Sequence, residues 1–207
     1  MEIKKPYGVF GFKDPDNFSK LAVSYHDPSP SSLGIEFTKV LYAITYLSNG
    51  SGLGHLRMSA VGMRLRQDDE PNNTTKNNRE LMRFLLCPPP ISDNVCFKDG
   101  NNAIRDGMWC EWAYVYNFSG NCLEVHRGGN KNPDAIGDYV TVKKSDSEYC
   151  GPRLVAKISL DKLIKGDVNE FEKIFLKVTY DTVKGKDLLG LGTQKKKAYK
   201  GAEILTF

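Results

Sequence analysis

The chain lacks most of the features that assign a protein to a functional class on inspection. No apolar run approaches the roughly 18 residues that span a bilayer. The best candidate, Ile35 to Leu47, is too short and carries Glu36 and Lys39. The opening residues MEIKKPYGVF lack the apolar core and small-residue cleavage site of a secretory leader. A cytoplasmic chain without membrane contact is therefore expected. The five cysteines (Cys87, Cys96, Cys110, Cys122 and Cys150) are odd in number and widely spaced, with no CxxC pair. Reduced thiols and no structural zinc follow. A dominant charge of one sign is also missing. The net charge is +4, and Lys184 to Phe207, with six lysines and two acids, accounts for all of it. The remaining 23 basic and 23 acidic residues balance, which argues against a dedicated nucleic-acid binder. Lys195-Lys-Lys197, Tyr199 and Lys200 read as a solvated lysine face or as a contact to phosphate.

Familiar motifs are equally scarce. Gly50-Ser-Gly-Leu-Gly54-His55 has the glycines of a phosphate loop, but it follows a helix and lacks the Lys-Ser/Thr ending. It reads as a helix end and linker. His26, His55 and His126 form no short metal motif, and nothing calls for a cofactor.

What is present is enough for one substantial core. The 207 residues are 40% hydrophobic and 11% aromatic, so no disulfide or metal is needed for stability. The 19 glycines and 10 prolines imply short elements and many turns. Tyr7–Phe12 and Lys20–His26 read as a hairpin around the turn Asp14–Asn17. Ser31 or Ser32 should cap a helix from Gly34 to Leu47, in which Ile35, Phe37, Val40, Leu41, Ile44 and Leu47 recur at helical spacing. A helix over Leu53–Ala60, a strand over Val61–Gln67 and a helix from Thr74 or Thr75 to Leu86 follow. Trp109–Asn117 and Cys122–Arg127 form the clearest hairpin. A short strand at Tyr139–Val142, a strand at Arg153–Leu160 and helical turns at Leu160–Ile164 and Glu170–Val178 complete the pattern. The fold class expected is α+β, with a mostly antiparallel sheet carrying packed helices, or a layered α/β variant. Residues 1–183 form the domain and residues 184–207 a lysine-rich C-terminal extension.

Two segments carry a resemblance. The first is Gly8-Val-Phe-Gly-Phe12 followed by Tyr25-His26-Asp27, Pro30 and Leu33-Gly34; the second is Cys110-Glu-Trp-Ala-Tyr114 followed by Leu123-Glu-Val125. Together they resemble a family of small, mostly uncharacterised bacterial and phage proteins. The chain departs from that pattern at Met1–Pro6 and at Asp27-Pro-Ser-Pro30. The resemblance implies a bacterial or phage origin, with the host cytoplasm as location in the latter case, but no reaction.

The candidate chemistry lies in three places. A strand end feeding a helix N-terminus collects free N–H groups, which suits an anion. Tyr25, His26, Asp27, Ser29, Ser31 and Ser32, with Arg127, therefore form the expected ligand-binding set, and His26 titrates near neutrality. The alternative is that Asp27 and the serines only cap the helix and shape the turn. Strand alternation puts Cys110 with Trp112, Tyr114 and Tyr116, and puts Glu111 with Ala113 and Val115 on the other face, where Arg105 or Arg127 would pair it. Cys110 reads as core or as a nucleophile. Three functional classes follow. The first is a protein that binds a small anionic ligand, such as a nucleotide signal sequestered to counter host defence. The second is a hydrolase of layered architecture resembling the N-terminal-nucleophile amidohydrolases, using His26, Asp27, Cys110 and Glu111. The third is an interaction module displaying Trp109, Trp112, Tyr114 and Tyr116. A homo-oligomer is compatible with each.

Overall fold

Two runs of alternating large apolar residues become two hairpins, and the fold is built by setting them side by side. The first pairs β1 (Tyr7–Asp14) with β2 (Phe18–Ser24), antiparallel. Its turn closes as the sequence predicts: Asn17 donates from its backbone N–H to the Asp14 carbonyl (2.9 Å) and from Nδ2 to Asp14 Oδ2 (2.8 Å). The second pairs β5 (Cys110–Asn117) with β6 (Cys122–Arg127). In the computed structural model, which describes residues 5–46, 52–66, 77–86, 96–140, 149–165, 167–188 and 204–207, β1 runs parallel to β5. β7 (Arg153–Ser159) adds antiparallel to β6, and β8 (Leu205–Thr206) adds parallel to β7. The order β2-β1-β5-β6-β7-β8 gives a mixed, mostly antiparallel sheet, and the α+β expectation holds.

The helices are α1 (Ile35–Tyr46), α2 (Gly52–Gly62), α3 (Asn78–Leu86), α4 (Leu160–Lys165) and α5 (Val168–Leu188). Helix α1 buries the predicted stripe of Ile35, Phe37, Val40, Leu41 and Ile44. That stripe packs with Phe10, Phe12, Trp112, Tyr114 and Tyr116 in the main core. Across the pleat, Val9, Leu21, Ala113 and Val115 form a smaller core, covered by Ile104 from a 3-10 turn (Ala103–Arg105) and by Tyr139.

Four expectations need correction. A π-helical turn, Pro30–Gly34, precedes α1, and its N-cap is Ser29, without a side-chain cap bond, rather than Ser31 or Ser32. Pro30 at its start has no N–H to satisfy. The strand expected over Val61–Gln67 is reduced to β3 (Leu65–Arg66), paired with β4 (Phe97–Lys98), because α2 continues through Gly62. Tyr139 and Val140 lie in no strand, since the Tyr139 ring serves as a cover over the sheet. The helical turns expected over Glu170–Val178 are part of one longer helix, α5, of 21 residues. Thr74, Thr75 and the lysines 195–197 and 200 lie outside the described residues.

Gly8 decides how closely the Pro28–Gly34 segment approaches the sheet. A Cβ there would collide with Leu33 Cδ2 and lie 3.0 Å from Pro28 Cβ. Gly8→Ala is expected to cost about 1–3 kcal/mol by overpacking, read as a lower urea midpoint with an unchanged m-value.

Candidate functional site

The Tyr25–Gly34 loop leaves β2 at one end of the sheet and is held from below. Ser24 Oγ donates to Asn78 Oδ1 (2.8 Å); Asn78 Nδ2 donates to the Asp27 carbonyl (2.5 Å) and to Ser32 Oγ (2.9 Å). Asn78 is buried, so the first residue of α3 is the hub of the loop. Asp27 Oδ1 accepts the Ser29 N–H (2.9 Å), an Asx turn, and the Ser29 and Ser31 hydroxyls lie 3.1 Å apart. Tyr114 OH donates to the Pro28 carbonyl (3.0 Å). Asp27, Ser29 and Ser32 thus shape the turn. Tyr25 is half exposed beneath the Lys98 ammonium, 5.4 Å from its ring centroid. His26 is partly buried, which lowers its pKa against the opposing field of Glu80.

Arg127 reaches the same end of the sheet from β6. Its Nη1 donates to the Glu111 carbonyl (3.0 Å) and to Glu111 Oε1 (2.9 Å), and its guanidinium lies 4.5 Å from the Trp112 ring centroid. Of the two partners expected for Glu111, Arg127 is the one used. The face assignment of Glu111 and Cys110 is overturned by a β-bulge. Tyr7 pairs with Cys110 while Gly8 pairs with Trp112, so Glu111 is the extra residue and alternation breaks across it. Cys110 therefore packs with Ala113 and Val115, not with the aromatics. Burial pushes its thiol pKa far up, with Asp106 adding to the effect. An un-ionised buried thiol is a poor nucleophile.

The row Gly8–Trp112–Arg127 across β1, β5 and β6 joins Arg127 to the loop, because Gly8 faces Pro28 and Leu33. Tyr114 feels the charges of Arg127, Asp27 and Glu111, although burial is what chiefly raises its pKa. Arg153 stands opposite Arg127 on β7, so the pleat sets two largely buried guanidiniums on one face. Tyr25, His26, Asp27 and the serines thus share one end of the sheet with Arg127 and Glu111. Trp112, Tyr114 and Tyr116 are buried in the core, so they offer no exposed aromatic face.

A second polar cluster, absent from the expectations, lies on the opposite face. Glu124 Oε2 accepts from Lys13 Nζ (2.7 Å) and faces His126 Nε2 (3.3 Å), while Glu124 Oε1 accepts from Asn117 Nδ2 (2.9 Å). Lys13 Nζ also donates to Asp138 Oδ2 (2.5 Å). Lys13, Glu124 and His126 are buried, whereas the Asp138 side chain is 69% exposed. The Tyr139 ring stands edge-on to the imidazole, with centroids 5.0 Å apart. Among the described residues, His126 Nδ1 is buried without a hydrogen-bond partner. Burial opposes ionisation of Glu124, but the hydrogen bonds from His126, Asn117 and Lys13 prevail and hold its pKa at about 2. Burial lowers the pKa of His126 despite the bond to Glu124. Burial also works against the Lys13 ammonium, and the bonds to Asp138 and Glu124 override it. The one signal in the sequence was Glu124 and His126 at i, i+2 on a strand, which places two ionisable groups on one face. Among the described residues, no group of three or more His, Cys, Asp or Glu side chains is placed to hold a metal ion, and no helix is long and apolar enough to cross a membrane.

Two outcomes follow. Asn78→Ala should cost about 2–3 kcal/mol, because it strips buried partners from Ser24 and Ser32, checked by urea denaturation. Stability should fall in acid. The folded pKa of His126 lies below the unfolded 6.5, so its contribution is complete above that value and is lost as pH drops. Glu124 adds a second loss as pH falls from 4.5 towards 2. Urea midpoints should therefore be lower at pH 5 than at pH 7.5, and the difference should shrink in His126→Gln. No family model, no curated protein and no solved structure matches this chain.

Proposed function

We propose that this protein binds a small anionic ligand, of the nucleotide-signal class, at the end of the sheet where the Tyr25–Gly34 loop meets Arg127. The observation that carries the reading is the convergence on Tyr114. Its hydroxyl holds the Pro28 carbonyl at 3.0 Å, and the charges of Arg127, Asp27 and Glu111 all act on it. Loop and guanidinium are thus parts of one neighbourhood built from β1, β5 and β6.

The electrostatics favour an anion. Arg127 and Arg153 sit side by side on adjacent strands, which gathers positive charge at this end of the sheet. Glu111 pairs with Arg127 from a bulge position, with a side chain 41% exposed. An exposed carboxylate on a bulge can be displaced by a phosphate, which offers an arginine the same two-pronged acceptor geometry. Tyr25, exposed beside Lys98, adds an aromatic surface and a further cation to the same end of the sheet. The hydrolase reading lacks this support, because its thiol is buried and un-ionised.

The test is a panel of cyclic and linear nucleotides scored by thermal shift and by depletion from solution, with product analysis alongside. Binding without turnover is expected. Arg127→Gln should weaken it by about 10- to 100-fold, the loss of one charge-assisted contact. The absence of both a shift and depletion across the whole panel would overturn the reading.

A further inference from the structure

The polar cluster on the second face has no part in the anion site just described, yet it carries features that packing alone does not require. The same face is apolar elsewhere, with Val9, Leu21, Ala113 and Val115 side by side. Replacing a buried ion pair by apolar groups of similar volume is often neutral or stabilising. Here the sheet instead buries an ammonium, a carboxylate and an imidazole. The β6–β7 ladder also shifts register beside the imidazole, between Val125 and His126, the kind of irregularity that re-aims a side chain.

Glu124 is saturated: Lys13, Asn117 and His126 take up its two oxygens. With the Nε2–H of the neutral ring directed at that carboxylate, the Nδ1 lone pair is left as an acceptor. It has no hydrogen-bond partner among the described residues. Lys13 Nζ and His126 Nε2 meet at one oxygen of Glu124, so the ammonium and the imidazole are neighbours on this face. The third contact differs in kind. Asp138 belongs to the irregular segment that follows β6, and its side chain is mostly in solvent while one oxygen reaches the buried ammonium. Lys13 keeps Glu124 as its counter-charge if Asp138 withdraws.

We propose that Lys13, Glu124 and His126 form a second binding site for a small carboxylate bearing an adjacent hydroxyl, with the chain's own Asp138 occupying the carboxylate position in the closed state. The ligand carboxylate replaces Asp138 on Lys13 Nζ, and its hydroxyl donates to His126 Nδ1. Tyr139, next to Asp138 and edge-on to the imidazole, moves aside with it. Glu124 stays in place as the fixed partner that orients both groups.

The test uses the full chain and diethylpyrocarbonate, which acylates an unprotonated imidazole nitrogen, with the modified sites mapped by mass spectrometry. His26 and His55 serve as internal references. Asp138 is exposed, so Asp138→Asn should fold. It removes one partly exposed ion pair that holds the segment closed, and His126 should then react about five-fold faster than in the unaltered protein, while His26 and His55 keep their rates. Glycolate, the simplest 2-hydroxy carboxylate, should slow the reaction at His126 in that variant and leave the two references unchanged. Equal His126 rates in both proteins, or no protection by glycolate, would overturn the proposal. Arg127→Gln should leave the His126 rate and its protection by glycolate unaltered.

Discussion

The parallel pairing of β1 with β5 is the constraint on which the rest of the structure depends. Each hairpin is locally specified, but neither buries its aromatic face alone. Setting β1 against β5 aligns Phe10 with Tyr114 and Phe12 with Tyr116. The result is one continuous apolar surface on which α1 and α5 pack. The same alignment brings Gly8 beside Trp112 and so draws the Tyr25–Gly34 loop over the end of β5. Register here is not a detail of the sheet, since a slip of one residue would send the aromatic rows to the other face.

Both polar regions follow from that register. The bulge at Glu111 lets Cys110 turn inward while Glu111 swings toward Arg127, and the row from Gly8 to Arg127 then connects the loop to the guanidinium. On the opposite face, Lys13 at the far end of β1 reaches Glu124 on β6 across β5. One face thus supplies the hydrophobic burial that stabilises the fold. The other carries a buried ion pair whose desolvation that burial must offset.

Legibility in the sequence varied with the range of the interaction. The two hairpins, α1 and the α+β class were readable because alternation and helical spacing are local signals. The Glu111–Arg127 pair was readable as one of two options, because a strand acid among apolar residues needs a cation. The faces of Cys110 and Glu111 were not, since a bulge depends on the partner strand rather than on the strand's own residues. Asn78 was missed for a related reason: an asparagine at a helix start reads as a cap, whereas its three partners, two serine hydroxyls and the Asp27 carbonyl, lie about 50 positions earlier. Lys13, the Glu124–His126 pair and Asp138 come from three separate stretches, and only the tertiary fold makes them neighbours. Val61–Gln67 alternates like a strand, yet the helix before it continues through Gly62 and takes the first two of those residues.

The β1–β5 seam also bears on the order in which the chain acquires its shape. Its partners, Gly8 with Trp112 and Lys13 with Asn117, stand about a hundred residues apart. Each hairpin, by contrast, closes over a few residues. Local closures are fast, and pairings between distant segments carry a loop-closure cost that slows them. The hairpins should therefore form first as separate units, each with an aromatic face exposed, and the joining of the seam should set the rate. Until that step, the unpaired edges of β1 and β5 are the surfaces most open to pairing with another chain.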